Sequence, residues 1–414
     1  MTTSHQPAAS ASPPGFTSST STSFAVDERL LERVQALEPI VREHSDAGER
    51  ERRLAGPVLD AMRAAGLFRM FTPRALGGLE TDPVTVARVA EEISRFDSAA
   101  GWALQAGNTG AWWASQMPDA GVDDLFADGP DLLMSASFAP PHRAEVVPGG
   151  YRLTGRGPLA STISDASWVM LSGFVFDGEQ PRMTPFGPEV VGLVMPVSDV
   201  EIVDTWRSLG MRATDSNDVA ANGVFVPETR AFRVAPGQQP GPRFQGPLYH
   251  LSALIATYVV IAPVALAIAR GAIGELREIA VGKTPLGSRK TLRDRAAAQA
   301  AVAEGEAILR SARLLFYDAL GTAWERAVRG EQATLEQKAD MMLAATHAVQ
   351  SSARATELMH RVAGTSGIYA RNRLERHFRD AVTVRHHGFM CESRFETVGQ
   401  IYLGVEPEFP FVAF

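Results

Sequence analysis

An α+β protein in three blocks is what the 414-residue sequence predicts: an N-terminal α-helical domain over 26–130, a small central β-barrel or sandwich over 131–235, and a C-terminal antiparallel four-helix bundle over 236–414. Three observations carry this expectation. Helical runs with start and stop signals fill the first block. In the second, Val, Ile and Thr rise and turn residues recur at short intervals, the signature of several short strands. In the third, Leu292–Arg329 and Thr334–Val362 are long periodic runs rich in Ala, Leu, Glu and Arg.

Residues 1–25 contain 12 Ser or Thr, three Pro and no Asp, Glu, Lys or Arg. Such a stretch buries too little apolar surface to offset its ordering entropy, so a disordered tail is expected. It lacks the basic start and apolar middle of a secretory signal and the Arg of a transit peptide. With a single cysteine, Cys391, the composition fits a cytoplasmic protein and excludes a disulfide framework or a cysteine-based zinc site. A net charge of −7 gives no basic surplus for nucleic acid.

In the first block, Ala55–Ala65 is an amphipathic run stopped by Gly66, and Asp82-Pro83 reads as an N-cap with Pro at the first helical position, opening Val84–Ser94. Thr72 to Gly78 between them reads as a loop. In the second, Val146 to Gly155 reads as a hairpin turning at Pro148-Gly149-Gly150, and Val190–Val194 and Val224–Pro227 read as strands. In the third, Leu251–Ala269 is apolar enough to imitate a membrane span, but it contains Pro263 and stands alone, so a helix buried at the centre of a bundle is expected and no membrane partner. Thr334 with Gln337 makes a capping box. No Gly-x-Gly-x-x-Gly opens a helix after a strand, so the chain should not oxidise NAD(P)H by itself. His360, His377, His386 and His387 show no metal-ligand spacing, and no metal is expected.

Several stretches, in order, resemble the acyl-CoA dehydrogenase superfamily: Ala65 to Arg69 with Pro73 and Gly77-Gly78, Gly150 to Gly155, Ser208 to Arg212 through Val224–Pro227, and Arg379-Asp380-Ala381. The superfamily has two branches. Its dehydrogenases need a carboxylate to remove the α-proton of a thioester. At one usual place for that base stands His386-His387-Gly388-Phe389, and at the other no Asp or Glu occurs between Glu228 and Glu275. The resemblance therefore points to the second branch: oxygenase components that use reduced flavin (FMNH2 or FADH2) and O2, through a C4a-hydroperoxyflavin, to hydroxylate small aromatic or heteroaromatic substrates. A separate NAD(P)H:flavin reductase would supply the flavin. The alternative is an acyl-CoA dehydrogenase or oxidase with FAD and a displaced carboxylate base.

The resemblance also implies site residues. His387, with His386 as the alternative one register away, is the expected catalytic imidazole. Ser161 and its neighbour Thr162 would stand near the flavin N5, and Ser137 with Phe138 on the strand lining another part of the ring. Arg289, and the Gly364-Thr365 loop, would reach the flavin of a neighbouring subunit, which implies a homotetramer; the loop reads equally as a helix-to-helix turn. Trp102 and Trp112, close to three helical turns apart, with Asn108 between them, are expected on a substrate-pocket wall, with core packing as the plainer alternative.

Overall fold

The computed structural model describes residues 26–185 and 187–413; the tail expected over 1–25 lies outside them. The first block holds α1 (Glu28–Gln35), α2 (Glu38–Glu51), α3 (Gly56–Ala64), α4 (Pro83–Ser94), α5 (Ser98–Ala114) and α6 (Asp119–Leu125). Its boundaries follow local chemistry. Asp82 caps α4 by accepting from the Thr85 N–H at 2.8 Å. Asp97 caps α5 by accepting from Ala99 and Ala100, which satisfies amides that a helix start leaves without partners. Helix α3 ends where Gly66 turns left-handed at φ 80.

The second block holds β1 (Met134–Val147), β2 (Gly150–Ala160), β3 (Trp168–Asp177), β4 (Gln180–Pro181), β5 (Met183–Thr184), β6 (Gly187–Pro188), β7 (Val190–Pro196), β8 (Glu201–Val203), β9 (Asn217–Pro227) and β10 (Ala231–Arg233). The expected hairpin is β1–β2, in register from Val147 opposite Gly150. The barrel or sandwich takes the form of one eight-stranded mixed sheet, order β10-β7-β3-β1-β2-β9-β8 with β4 on β3, plus the β5–β6 ribbon. Alternation sorts its side chains. Val169, Leu171 and Val175 of β3 join Val191, Leu193 and Met195 of β7 and Val219 and Ala221 of β9 in one core. Strands far apart in the sheet thus share one apolar face, so the sheet curls around it. Met170 and Val194 point the other way, into the helical core.

The third block holds α7 (Ala253–Gly282), α8 (Ala296–Val328), α9 (Leu335–Ala363), α10 (Arg373–Val384) and α11 (Ser393–Tyr402). The Thr334–Gln337 capping box opens α9. Helix α7 is apolar all round because protein covers it all round: α4 and α5 pack on it from the first block, α8, α9 and α10 from its own. Its most apolar stretch is 94% buried.

The Arg379-Asp380 pair of α10 ties the blocks together. Asp380 is buried and accepts from Ser98 Oγ of α5 at 2.5 Å and from the Met211 N–H at 2.6 Å. Arg379 reaches Glu49 of α2 at 2.6 Å and the Leu209 carbonyl at 2.9 Å. Gly210 lies so close that a Cβ there would stand 2.3 Å from the Arg379 carbonyl.

Candidate active site

Where the sheet, α5 and the end of α10 meet they enclose a cavity of about 400 Å³. Helix α5 turns one stripe to it: Trp102, Gln105, Ala106 and Thr109, spaced by three and four residues. The sheet supplies Ser135, Ser137 and Phe138 from β1 and Leu159 and Ser161 from the end of β2. The segment between β8 and β9 supplies Trp206, Met211, Thr214 and Ser216. The turn after α10 closes the remaining side with His386, His387, Gly388 and Phe389. Among the described residues no Asp or Glu lines this cavity.

His387 stands edge-on to Trp102, ring centroids 5.5 Å apart, and to Phe389 at 5.4 Å. The Phe389 N–H points at its Nδ1 at 3.4 Å, which leaves Nε2 as the proton-bearing nitrogen of the neutral ring. Its surroundings are protein on every side but the cavity, and this burial pulls its pKa down to about 4. His387 is therefore neutral at neutral pH. His386 is exposed at the rim.

A chain of hydroxyls runs along the sheet side. Trp102 Nε1 donates to Ser161 Oγ at 3.1 Å, Ser161 Oγ lies 2.8 Å from Ser216 Oγ, Ser216 Oγ lies 2.7 Å from Thr214 Oγ1, and Thr214 Oγ1 donates to the Met211 carbonyl at 2.8 Å. Leu159, Thr162, Met211 and Asp215, on or beside this wall, all have positive φ without being glycine. Such strain gathers where a site over-determines its backbone.

A second cavity of about 650 Å³ adjoins the first and shares Phe138, Gly388 and Phe389 with it. Met170, Ser172 and Phe174 of β3, Trp113 of α5, and Phe409 and Phe411 wall it. The apolar segment after α11 thus packs inward, with Phe389 and Phe411 stacked at 5.5 Å and Lys338 Nζ bonded to the Ala413 carbonyl at 2.6 Å. Its charged groups are Glu189 and Arg233, paired at 3.0 Å.

Family models for the acyl-CoA dehydrogenase N-terminal domain and C-terminal domain match residues 30–117 and 259–392. Indole-3-acetate monooxygenase of Pseudomonas putida is 31% identical over 378 residues, 90% of this chain and 94% of that protein. The chain belongs to the acyl-CoA dehydrogenase superfamily. It sits in the flavin-dependent monooxygenase branch, for the oxygenase component of the FADH(2)-dependent resorcinol hydroxylase of a Rhizobium species is 28% identical over 92% of this chain and 95% of that one. XiaF of a Streptomyces species, solved with FADH2 and glycerol, superposes with a TM-score of 0.84 at 26% identity, covering 92% of this chain and 97% of XiaF.

The residues of this monooxygenase fit a planar flavin ring in the first cavity: Trp102, Trp206, Phe138 and His387 offer aromatic surfaces, the serines offer polar atoms, and Leu159 leaves an apolar side chain 58% exposed on the wall. Of the residues expected in the site, Ser137, Phe138, Ser161, His386, His387 and Trp102 line this cavity. Other expected residues do not line it. Asn108 does not reach the cavity; its amide accepts from Phe71 N–H and donates to the Leu67 and Leu104 carbonyls, stapling the 67–71 turn to α5. Trp112 does not share the face of Trp102, because ten residues leave it about 80° short of whole turns; it lines a small separate cavity beside Tyr249. Thr162 Oγ1 is buried outside the cavity without a partner. Arg289, Gly364 and Thr365 are exposed at one end of the bundle, away from this cavity; Lys283, at the start of the Arg289 loop, bonds the Ala363 carbonyl there. His360, stacked on Phe378, and buried His377 are structural. Thr109, Trp206, Thr214, Ser216 and Phe389 were missed. Only the spacing of Thr109 and Gln105 from Trp102 carried a signal.

Proposed function

We propose that the chain is the oxygenase component of a two-component system: a separate NAD(P)H:flavin reductase delivers FMNH2 or FADH2, and the chain uses it with O2 to hydroxylate a small aromatic or heteroaromatic compound. One observation carries the reading: a cavity of flavin-ring size bordered by a neutral imidazole and, among the described residues, by no carboxylate. A dehydrogenase base must reach the proton it removes. The alternative of thioester oxidation thus finds no base on these walls.

When bound, the reduced flavin supplies the electrons that activate oxygen. The chain's own residues do the rest. The neutral His387 holds a proton at Nε2 on the wall and would donate it as a hydrogen bond to an oxygen that gains negative charge. Trp102, Phe138 and Phe389 keep water from the reacting atoms. The second, aromatic-walled cavity receives the substrate ring, and Arg233 offers guanidinium N–H groups beyond those that meet Glu189 to a polar end.

We further propose a cytoplasmic homotetramer in which Arg289, Gly364 and Thr365 reach a neighbouring subunit's flavin. The bundle's surface supports self-association: Leu286, Leu314, Ile368 and Leu403 are all exposed. The test of function is to mix the chain, chemically reduced flavin, isotopically heavy dioxygen and a panel of phenols and indoles. A product carrying one heavy oxygen is expected. Hydrogen peroxide alone with every aromatic, together with thioester oxidation by bound FAD, would sink the proposal.

A further inference from the structure

The turn that carries His387 is held from behind by two buried side chains, Tyr258 and Gln350, neither of which lines either cavity. The turn runs from the end of α10 to the start of α11. Its helical bonding gives out at the His386 and His387 amides, which reach the Thr383 and Val384 carbonyls at 3.2 and 3.0 Å. The carbonyls that follow have no helical partner, as at any helix end. Gln350 of α9 takes two of them: its Nε2 donates to the Arg385 carbonyl and to the Met390 carbonyl, each at 2.9 Å. These carbonyls stand on either side of His387 in the chain, so one amide ties both ends of the turn. Tyr258 of α7 takes a third, donating from Oη to the Phe389 carbonyl at 3.1 Å. Burial pushes the Tyr258 phenol far up, so it keeps its proton and stays a donor.

Two observations connect these bonds to the imidazole. Gln350 Oε1 is buried without a hydrogen-bond partner among the described residues. A bare buried acceptor costs stability, and an apolar side chain of the same length would avoid that cost. What the amide contributes against it is its two donors to the turn. The Phe389 N–H that meets His387 Nδ1 belongs to the same residue whose carbonyl Tyr258 holds. Toward the cavities the turn has no such support: nothing stands within 4 Å of where a Gly388 Cβ would be.

We propose that Gln350 and Tyr258 are positioning residues for the reaction: gripping the backbone of the turn from α9 and α7, they hold the Phe389 amide against Nδ1 and so keep the His387 proton on Nε2. The inference rests on the proposed function in one respect, the part it gives His387. It adds that the tautomer of that ring is set from the bundle, through backbone, by residues that meet no ligand.

Nitrogen-15 NMR of the ligand-free full chain, labelled at histidine, tests it, with His387→Ala assigning the signal. The unaltered ring should show a protonated Nε2 and a bare Nδ1, titrating near pH 4. Tyr258→Phe removes one oxygen, and Gln350→Met keeps the length of the side chain while removing both donors. Each should turn the single tautomer into a mixture and raise the titration toward the ordinary 6.5, as the loosened turn admits water. With reduced flavin, oxygen and substrate, each should lower the ratio of product to hydrogen peroxide roughly ten- to hundredfold, the scale of a misplaced group. The double variant should lose less than the two effects multiplied, since both act through one turn. A lowered thermal transition with tautomer and product ratio unchanged would make the two residues structural only and overturn the inference. A product ratio insensitive to His387→Ala would overturn the proposed role of His387, and this inference with it, while leaving any tautomer shift in Tyr258→Phe and Gln350→Met visible.

Discussion

At His387 the role we propose sets two requirements: the ring must border the reactants, and it must be neutral when they arrive. The protein packed around it meets both, holding the ring on the cavity wall and lowering its pKa to about 4. His387→Ala should cut product formation by roughly 10²–10⁴, the range of general acid–base catalysis, while reduced flavin still binds and oxygen leaves as hydrogen peroxide. His386→Ala, at the rim, should do far less. Comparing product with peroxide in the two variants checks this. The pH profile follows with a definite sign. Product formation should fall as pH drops through about 4, where His387 gains its proton, and not through the ordinary imidazole value of 6.5. Because the folded ring has the lower pKa, the unfolded chain takes up that proton first, so His387 also weakens the fold as pH falls from 6.5 toward 4. His387 was legible in the sequence because the absence of acid residues around it left an imidazole where a base would be. The destiny of Asn108 was not, since its partners at Leu67 and Phe71 belong to another turn of chain, and a polar residue on a helix looks the same whether it meets a ligand or a backbone.

Among elements, α10 does more than deliver the histidine turn. Through Asp380 it fixes where α5 begins and where the Met211 loop lies, and both line the first cavity. Asp380→Ala should cost about 1–3 kcal/mol, since it leaves the buried Met211 amide and Ser98 hydroxyl without partners; urea unfolding measures it. Burial raises the Asp380 carboxyl to about 6. The folded state therefore holds this proton more firmly than the unfolded one, and stability from this group declines as pH rises from 3.8 to about 6. Asp380→Asn should abolish that slope. Gly210→Ala should be more damaging than a surface change, because its Cβ would collide with α10 backbone, which cannot rotate aside as a side chain does. The clearest local signals were the ones that closed within a few residues: the Asp82 cap, the Thr334–Gln337 box and the Gly149 turn all lie where the sequence placed them. The curl of the single sheet was hidden, because it depends on β3 and β9 sharing a core across two intervening strands.

At the scale of the molecule, the order of helical block, sheet and bundle was readable because each block changes its own periodicity, but the cavity was not, because its walls come from all three blocks. Assembly is the prediction at this scale. Light scattering should give a tetramer at micromolar concentration, and Arg289→Ala should weaken flavin binding while leaving the His387 titration untouched. A monomer that bound reduced flavin as tightly would contradict it. The partition between the two cavities has one more consequence. Phe138 and Phe389, ring centroids 6.0 Å apart, are shared by both rooms, and beside Phe389 the Gly388 backbone has open space around it. A doorway that narrow opens by the swing of one ring, not by the parting of domains, so its traffic runs on the clock of side chains and short turns, nanoseconds to microseconds. A substrate ring held in the second cavity, as we propose, would then meet the first cavity many times within one turnover.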